Sequence, residues 1–160
     1  KIGLNKLVDI INFGINVNLF SNNPPKIKSK NINIISLRNF YPIYNVSLLV
    51  KCIKKITAEY PNCVFHLAGA GPEKNNLEKL VKKQGVQDKV NFLGYIDNNN
   101  LPTILNQMHI YVSTSNSDAG IASSTAEAMS TEKICVITDV FENNKWIEHK
   151  NTYLLIYFEI

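Results

Sequence analysis

Residues 62–96 read NCVFHLAGAGPEKNNLEKLVKKQGVQDKVNFLGYI, and their order decides the fold. NCVFHLAG (62–69) is a short apolar run rich in β-formers that stops at a glycine. PEKNNLEKLVKKQG (72–85) opens with Pro and Glu, as helix first turns do, and closes on Gly85, a natural C-terminal stop. KVNFLGYI (89–96) is again strand-like. A strand, a helix and a second strand at this spacing form a βαβ unit, whose strands lie parallel.

The same rhythm extends in both directions. Upstream, INIISL (32–37) predicts a strand, and VSLLVKCIKKITAEY (46–60) places Val46, Leu49, Ile53 and Ile56 at helical spacing with lysines on the other face. Downstream, NNNLPTILNQM (98–108) predicts a short helix with Pro102 in its first turn. HIYVSTS (109–115) predicts a strand, SSTAEAMS (123–130) a helix, KICVITDV (133–140) a strand, NNKWIEH one turn, and TYLLIY a last strand. The expected fold is α/β, a doubly wound, mainly parallel sheet flanked by helices. Residues 1–30, with one strand-like run and a Pro-Pro break, read as a lead-in from a preceding domain, and 31–160 as the domain proper.

Composition excludes several function classes. At 160 residues, 45% hydrophobic and 19% charged, the chain is long enough for one buried core. The net charge of +4 comes from scattered lysines, and KIKSK (26–30) is short and lacks interleaved aromatics, which argues against nucleic acid. Cys52, Cys63 and Cys135 lie in apolar runs with no CxxC pair and read as core residues in a reducing compartment. His66, His109 and His149 are too far apart for a metal-ligand motif. No apolar run approaches the roughly 20 residues of a membrane span.

A doubly wound sheet binds ligands in the loops at the carboxyl ends of its strands. GAGPE (69–73) begins like a dinucleotide fingerprint, but the third glycine falls on Lys74. The preferred reading is a tight turn, and a nicotinamide enzyme is disfavoured. In SNSDAGIASSTAEAMS (115–130), Gly120 removes a side chain where a ligand must approach. Ser123, Ser124 and Thr125 then open a helix whose first amides have no internal partners. Free amides at the positive end of a helix suit phosphate. Glu127, in the second turn, is placed to accept hydrogen bonds from sugar hydroxyls. An ordinary capped helix with Glu127 in solvent is the competing reading. Arg38, at the end of the first strand, adds a guanidinium suited to a diphosphate.

Strand-Arg38, YNVSLL, VFHLAGAGPE, KVNFLGYI, HIYVSTS, SDAGIASSTAEAM and ENNKWI together, in this order, resemble the C-terminal half of family 4 glycosyltransferases of the GT-B fold, over about residues 7–155. The resemblance implies a nucleotide-sugar donor domain of a retaining hexosyltransferase that needs no metal and no cofactor beyond the donor. The glycan or glycolipid acceptor would be bound by a separate N-terminal half, reaction taking place in the cleft between them. Arg38 matches the arginine on the donor phosphates and Glu127 the second of the family's paired glutamates, on the ribose. Tyr95 and Ile96 match the segment holding the base. Gly120, Ile121, Ala122, Ser123 and Ser124 match the loop and helix start beneath the diphosphate and sugar.

The chain departs from the pattern at several positions. The first glutamate falls on Ala119, with Asp118 the adjacent candidate substitute, and a frequent lysine partner of the arginine is replaced near Tyr44. Glu132 and Ile134 stand where a glycine and a proline are usual, and His149 and Thr152 where glycines flank the last strand. On this resemblance the family's C-terminal helix is expected to be missing. These departures motivate the alternative of a non-catalytic module that kept the fold. The resemblance further implies a cytoplasmic protein of polysaccharide or glycolipid assembly, with membrane contact only through the acceptor or the missing half.

Overall fold

The computed structural model describes residues 14–21, 30–118, 121–140 and 143, together with the backbone of 154–156. Strands and helices alternate: β1 (Ile32–Ser36), α1 (Val46–Glu59), β2 (Cys63–Ala68), α2 (Lys74–Gln84), β3 (Val90–Gly94), α3 (Leu101–Leu105), β4 (Ile110–Ser113), α4 (Ser123–Ser130), β5 (Ile134–Thr138) and β6 (Leu154–Ile156). They build one six-stranded sheet in the order β3-β2-β1-β4-β5-β6, and every pair is parallel. The expected Rossmann-like fold class is therefore the observed one.

Successive strand residues point to opposite faces, so a strand covered on both sides reads as a continuous apolar run. In β1, Ile34 joins Phe65, Leu67, Val50 and Ile53 under α1 and α2, whereas Ile35 joins Leu105, Tyr111, Cys135 and Ile137 on the α3 and α4 side. Each large aliphatic side chain so buried contributes roughly 1.5–3 kcal/mol before entropy is counted. Helix α1 buries Val46, Leu49, Val50 and Ile53 and turns Lys51, Lys54 and Lys55 to water. Helix α2 buries Leu77 and Val81 and ends at Gly85, whose φ of 70° makes it the left-handed stop that the sequence predicts.

Several expectations need correction. Helix α2 starts at Lys74 rather than Pro72, because the Glu73 amide donates to the Phe40 carbonyl (3.0 Å) and residues 72–73 form a turn. Helix α3 is shorter than expected, since Asp97 accepts from the Asn99 and Asn100 amides and holds 98–100 as a turn. Cys63 and Cys135 are buried as expected, but Cys52 is exposed, on the outward side of α1 beside Lys51. In the lead-in segment residues 17–19 form a turn, with Phe20 buried against the α3–α4 side. Residues 1–13 and 22–29 of that segment, all but Asn143 of the predicted turn at 143–149, and Thr152 lie outside the described residues.

Helix α4 spans the predicted 123–130 and closes with a Schellman motif: Lys133 N donates to Ala128 O (3.0 Å) and Glu132 N to Met129 O (2.9 Å). Glu132 sits at φ 58°, a conformation that glycine adopts freely. Substituting Glu132→Gly is expected to raise stability by about 1 kcal/mol, read as a higher urea midpoint with unchanged m-value.

Candidate functional site

The chain steps outward from β1 to β2 to β3, returns to β4 beside β1, and then steps the other way. The carboxyl ends of β1 and β4 therefore diverge at the switch point of the sheet, where a crevice opens. Arg38 leaves β1 and Asp118 leaves the loop after β4, so the topology brings together two residues 80 positions apart.

Two loops hold Arg38 in place. The first is the glycine turn after β2. A Cβ on Gly69 would lie 2.7 Å from the Arg38 carbonyl oxygen, and one on Gly71 only 2.5 Å from that of Phe40. Both glycines have positive φ (148° and 153°), where side chains are strained. The absence of side chains lets 69–73 lie flat against 38–40, closed by Phe40 N to Ala70 O (2.9 Å). The GAG motif thus serves close backbone packing, consistent with its reading as a tight turn. The second is the 3-10 turn Pro42–Tyr44. Asn45 follows it in the left-handed region and ties it to the β4 exit through Thr114 Oγ1 to Asn45 O (2.9 Å) and Asn116 N to Ile43 O (2.9 Å). This turn sets the Tyr44 ring against the guanidinium, whose central carbon is 4.3 Å from the ring centroid.

Arg38 itself is 8% exposed. Its Nη2 is ion-paired with Asp118 Oδ1, Nη1 donates to Ser124 Oγ (3.5 Å), and its buried Nε has no hydrogen-bond partner among the described residues. A buried donor left unpaired costs about 1–3 kcal/mol, a cost that an acceptor reaching Nε would recover. Burial pushes the Asp118 carboxyl above the usual carboxylate range, and the Arg38 charge pulls it part of the way back.

Across the crevice, α4 starts at Ala122, which is extended (φ −66°, ψ 141°) and gives no side-chain cap. A Ser, Thr, Asp or Asn cap would be worth about 1 kcal/mol more than alanine. The Thr125 and Ala126 amides already donate to the Ala122 carbonyl. Ser123 and Ser124 supply the remaining first-turn amides, at the positive end of the helix. Glu127 follows in the second turn, half-buried and with no partner for its carboxylate among the described residues. Burial alone pushes its carboxyl up.

Of the residues singled out in the sequence, Arg38, Asp118 and Ser124 meet in one cluster, flanked by Ile121, Ala122 and Ser123. Tyr95 and Ile96 lie past the end of β3, at the edge of the sheet and two strands from β1; Tyr95 is 76% exposed and Ile96 packs into the α3–α4 core. Gly120 and Ala119 fall outside the described residues. Sequence reasoning missed Tyr44 as the platform under Arg38. It also missed Tyr111, whose hydroxyl lies 2.9 Å from Ser124 Oγ. The legible signal for Tyr111 was a phenol inside an apolar strand, which needs a partner when buried. An apolar groove of about 490 Å³ beside α1, lined by Ile32, Leu48, Ile110 and Val136, has no charged lining residue and offers nothing to an anion. Among the described residues, no group of three His, Cys, Asp or Glu could hold a metal ion, and no helix is long and apolar enough to cross a membrane.

The sequence profile described as "Glycosyl transferases group 1" matches residues 19–159. A subunit of phosphatidylinositol N-acetylglucosaminyltransferase from Schizosaccharomyces pombe is 28% identical over 114 residues, 71% of this chain and 25% of that protein. The chain thus spans about a quarter of the length of that relative. Among solved structures, Anabaena HepE in complex with UDP-glucose superposes with a TM-score of 0.80 at 18% identity, over 90% of this chain and 42% of HepE. The C-terminal domain of the group 1 glycosyl transferase LpcC from Francisella tularensis gives 0.77 at 21% identity, over 90% of this chain and 80% of that domain. At these identities the superpositions establish the fold alone.

Proposed function

The chain belongs to the group 1 glycosyl transferases, and on that premise we propose that its crevice binds the diphosphate of a nucleotide-sugar donor, as the C-terminal half of a retaining GT-B hexosyltransferase. The observation that carries this reading is a buried guanidinium, its Nε without a partner among the described residues, that meets through Nη1 and Ser124 Oγ a helix start lacking a capping side chain. A diphosphate supplies what both lack: oxygens for Arg38 and for the Ser123 and Ser124 amides. In the transfer step these donors stabilise the charge that grows on the leaving diphosphate. No metal is needed for that role.

The Asp118 carboxylate sits on Arg38 where an anion would. The incoming diphosphate displaces it and leaves it free to accept from the hydroxyls of the transferred hexose, the part that Ala119 cannot play. Glu127 accepts from the ribose hydroxyls. Tyr95 and Ile96 hold the base through their backbone, and uridine is the base proposed, since HepE is seen with UDP-glucose. The acceptor, a glycan or glycolipid, belongs to a separate N-terminal half, through which any membrane contact would be made.

The test is Glu127→Gln. Because burial raises the folded pKa of Glu127 above its unfolded value, the charge destabilises the unliganded fold increasingly as pH rises through the folded pKa. The amide avoids that cost but is a poorer acceptor. Calorimetry is expected to give UDP affinity about tenfold weaker, while the melting temperature at pH 7 rises and the gain fades toward pH 4. Undiminished UDP affinity in the variant would sink the assigned role, and absence of UDP binding by the folded parent chain would favour the non-catalytic module.

A further inference from the structure

Tyr111 lies in β4 with its ring fully buried among Ile35, Leu105, Ala128 and Cys135, and its hydroxyl meets the first turn of α4 at Ser124. Thr125 Oγ1 donates to that hydroxyl (3.3 Å), and the hydroxyl lies 2.9 Å from Ser124 Oγ. A phenol has one proton. With Thr125 donating to it, the arrangement that leaves no buried phenol proton unpaired has Tyr111 donating to Ser124. Ser124 Oγ also accepts from Arg38 Nη1 at 3.5 Å. Both of its acceptor positions are then taken, which leaves the Ser124 proton for a third partner at the start of α4, the turn to which Ser124 belongs.

We propose that Tyr111 is a positioning residue for the donor's diphosphate: with Thr125 behind it, it holds Ser124 as a hydrogen-bond donor aimed at a phosphate oxygen. The inference rests on the diphosphate reading of the crevice and names a part of it that lies inside the core. Burial pushes the Tyr111 hydroxyl above its ordinary pKa, so it keeps its proton throughout the working pH range. Bulk packing by the ring is a separate role, which phenylalanine would fill as well.

The experiment titrates the 160-residue chain and its Tyr111→Phe, Ser124→Ala and doubly substituted variants with UDP and, in parallel, with uridine. Tyr111→Phe is expected to weaken UDP about 5–10-fold and leave uridine unchanged, because only the phosphates meet Ser124. Ser124→Ala is expected to cost a similar factor, and the double variant no more than Ser124→Ala alone, since Tyr111 acts through Ser124. Equal losses for UDP and uridine would assign Tyr111 to packing alone and overturn the proposal, as would additive losses or unchanged UDP affinity. Should Tyr111→Phe fail to fold, Thr125→Val removes the donor behind Tyr111 and is expected to weaken UDP but not uridine; no change in UDP there overturns the proposal. If the unsubstituted chain binds uridine as tightly as UDP, or binds neither, the diphosphate reading falls and this inference falls with it.

Discussion

Arg38→Ala is expected to weaken UDP binding about 100-fold and, separately, to destabilise the unliganded chain at neutral pH. The first effect follows from two charge-assisted hydrogen bonds to phosphate at about 1.5 kcal/mol or more each, with tenfold in affinity for each 1.4 kcal/mol. The second follows from Asp118, whose carboxylate then has burial without a counter-charge. Removing the cation pushes its folded pKa further above the unfolded value. The penalty is therefore absent at low pH and appears as pH rises through that folded pKa, reaching about 1–3 kcal/mol at pH 7. Arg38→Ala/Asp118→Asn separates the two effects: it is expected to restore the melting temperature but not the affinity. Arg38→Lys keeps the charge but loses the planar fork and the stacking on Tyr44, and is expected to fall between. A single variant with normal UDP affinity would remove Arg38 from the site.

Gly71→Ala is expected to have the largest effect on stability. Its added Cβ would lie 2.5 Å from the Phe40 carbonyl oxygen and 2.7 Å from the carbon behind it, both backbone atoms that cannot rotate away. The φ of 153° adds a strain of about 1–3 kcal/mol for any side chain. Phe40 cannot retreat cheaply, since it is 1% exposed and meets Phe92 edge-on with centroids 6.1 Å apart. The sum is about 3 kcal/mol or more, which in a domain of this size lowers the melting temperature by roughly 6–12 °C. Because 38–40 carries Arg38, UDP affinity is expected to fall as well. Gly14→Ala, with nothing among the described residues within 4 Å of the new Cβ, is the matched control. A melting temperature for Gly71→Ala equal to that of the control would show that the loop yields more easily than its packing implies.

Much of this fold was legible in the sequence for a physical reason. A parallel sheet covered on both faces makes each strand an apolar run, and β1 to β5 lie within two residues of the predicted limits. Helix α4 matched because its start follows a run of small residues and its end is marked by a change of period. Cys52 misled because it sits in an apolar run, where one helical step of 100° separates the buried Val50 and Ile53 from the outward face. At the site, Arg38 and the α4 start were legible as separate strand-end features. Their union with Asp118 was not, since it depends on β4 returning beside β1, a property of strand order rather than of any local pattern. Tyr44 was noticed only as a missing lysine, and its stacking depends on the left-handed Asn45 that turns the loop back. Tyr111 read as strand filling because its ring does fill the core; only its hydroxyl meets Ser124 of α4.

The central claim is that the crevice between Arg38 and α4 seats a diphosphate, and amide NMR during a UDP titration tests it most directly. The account predicts that the Ser123 and Ser124 amides and the Arg38 Nε–H shift together, with one saturating dependence on UDP, and that inorganic pyrophosphate moves the same three signals. Saturable UDP binding that leaves these three signals in place while others move would put the nucleotide elsewhere and contradict the account.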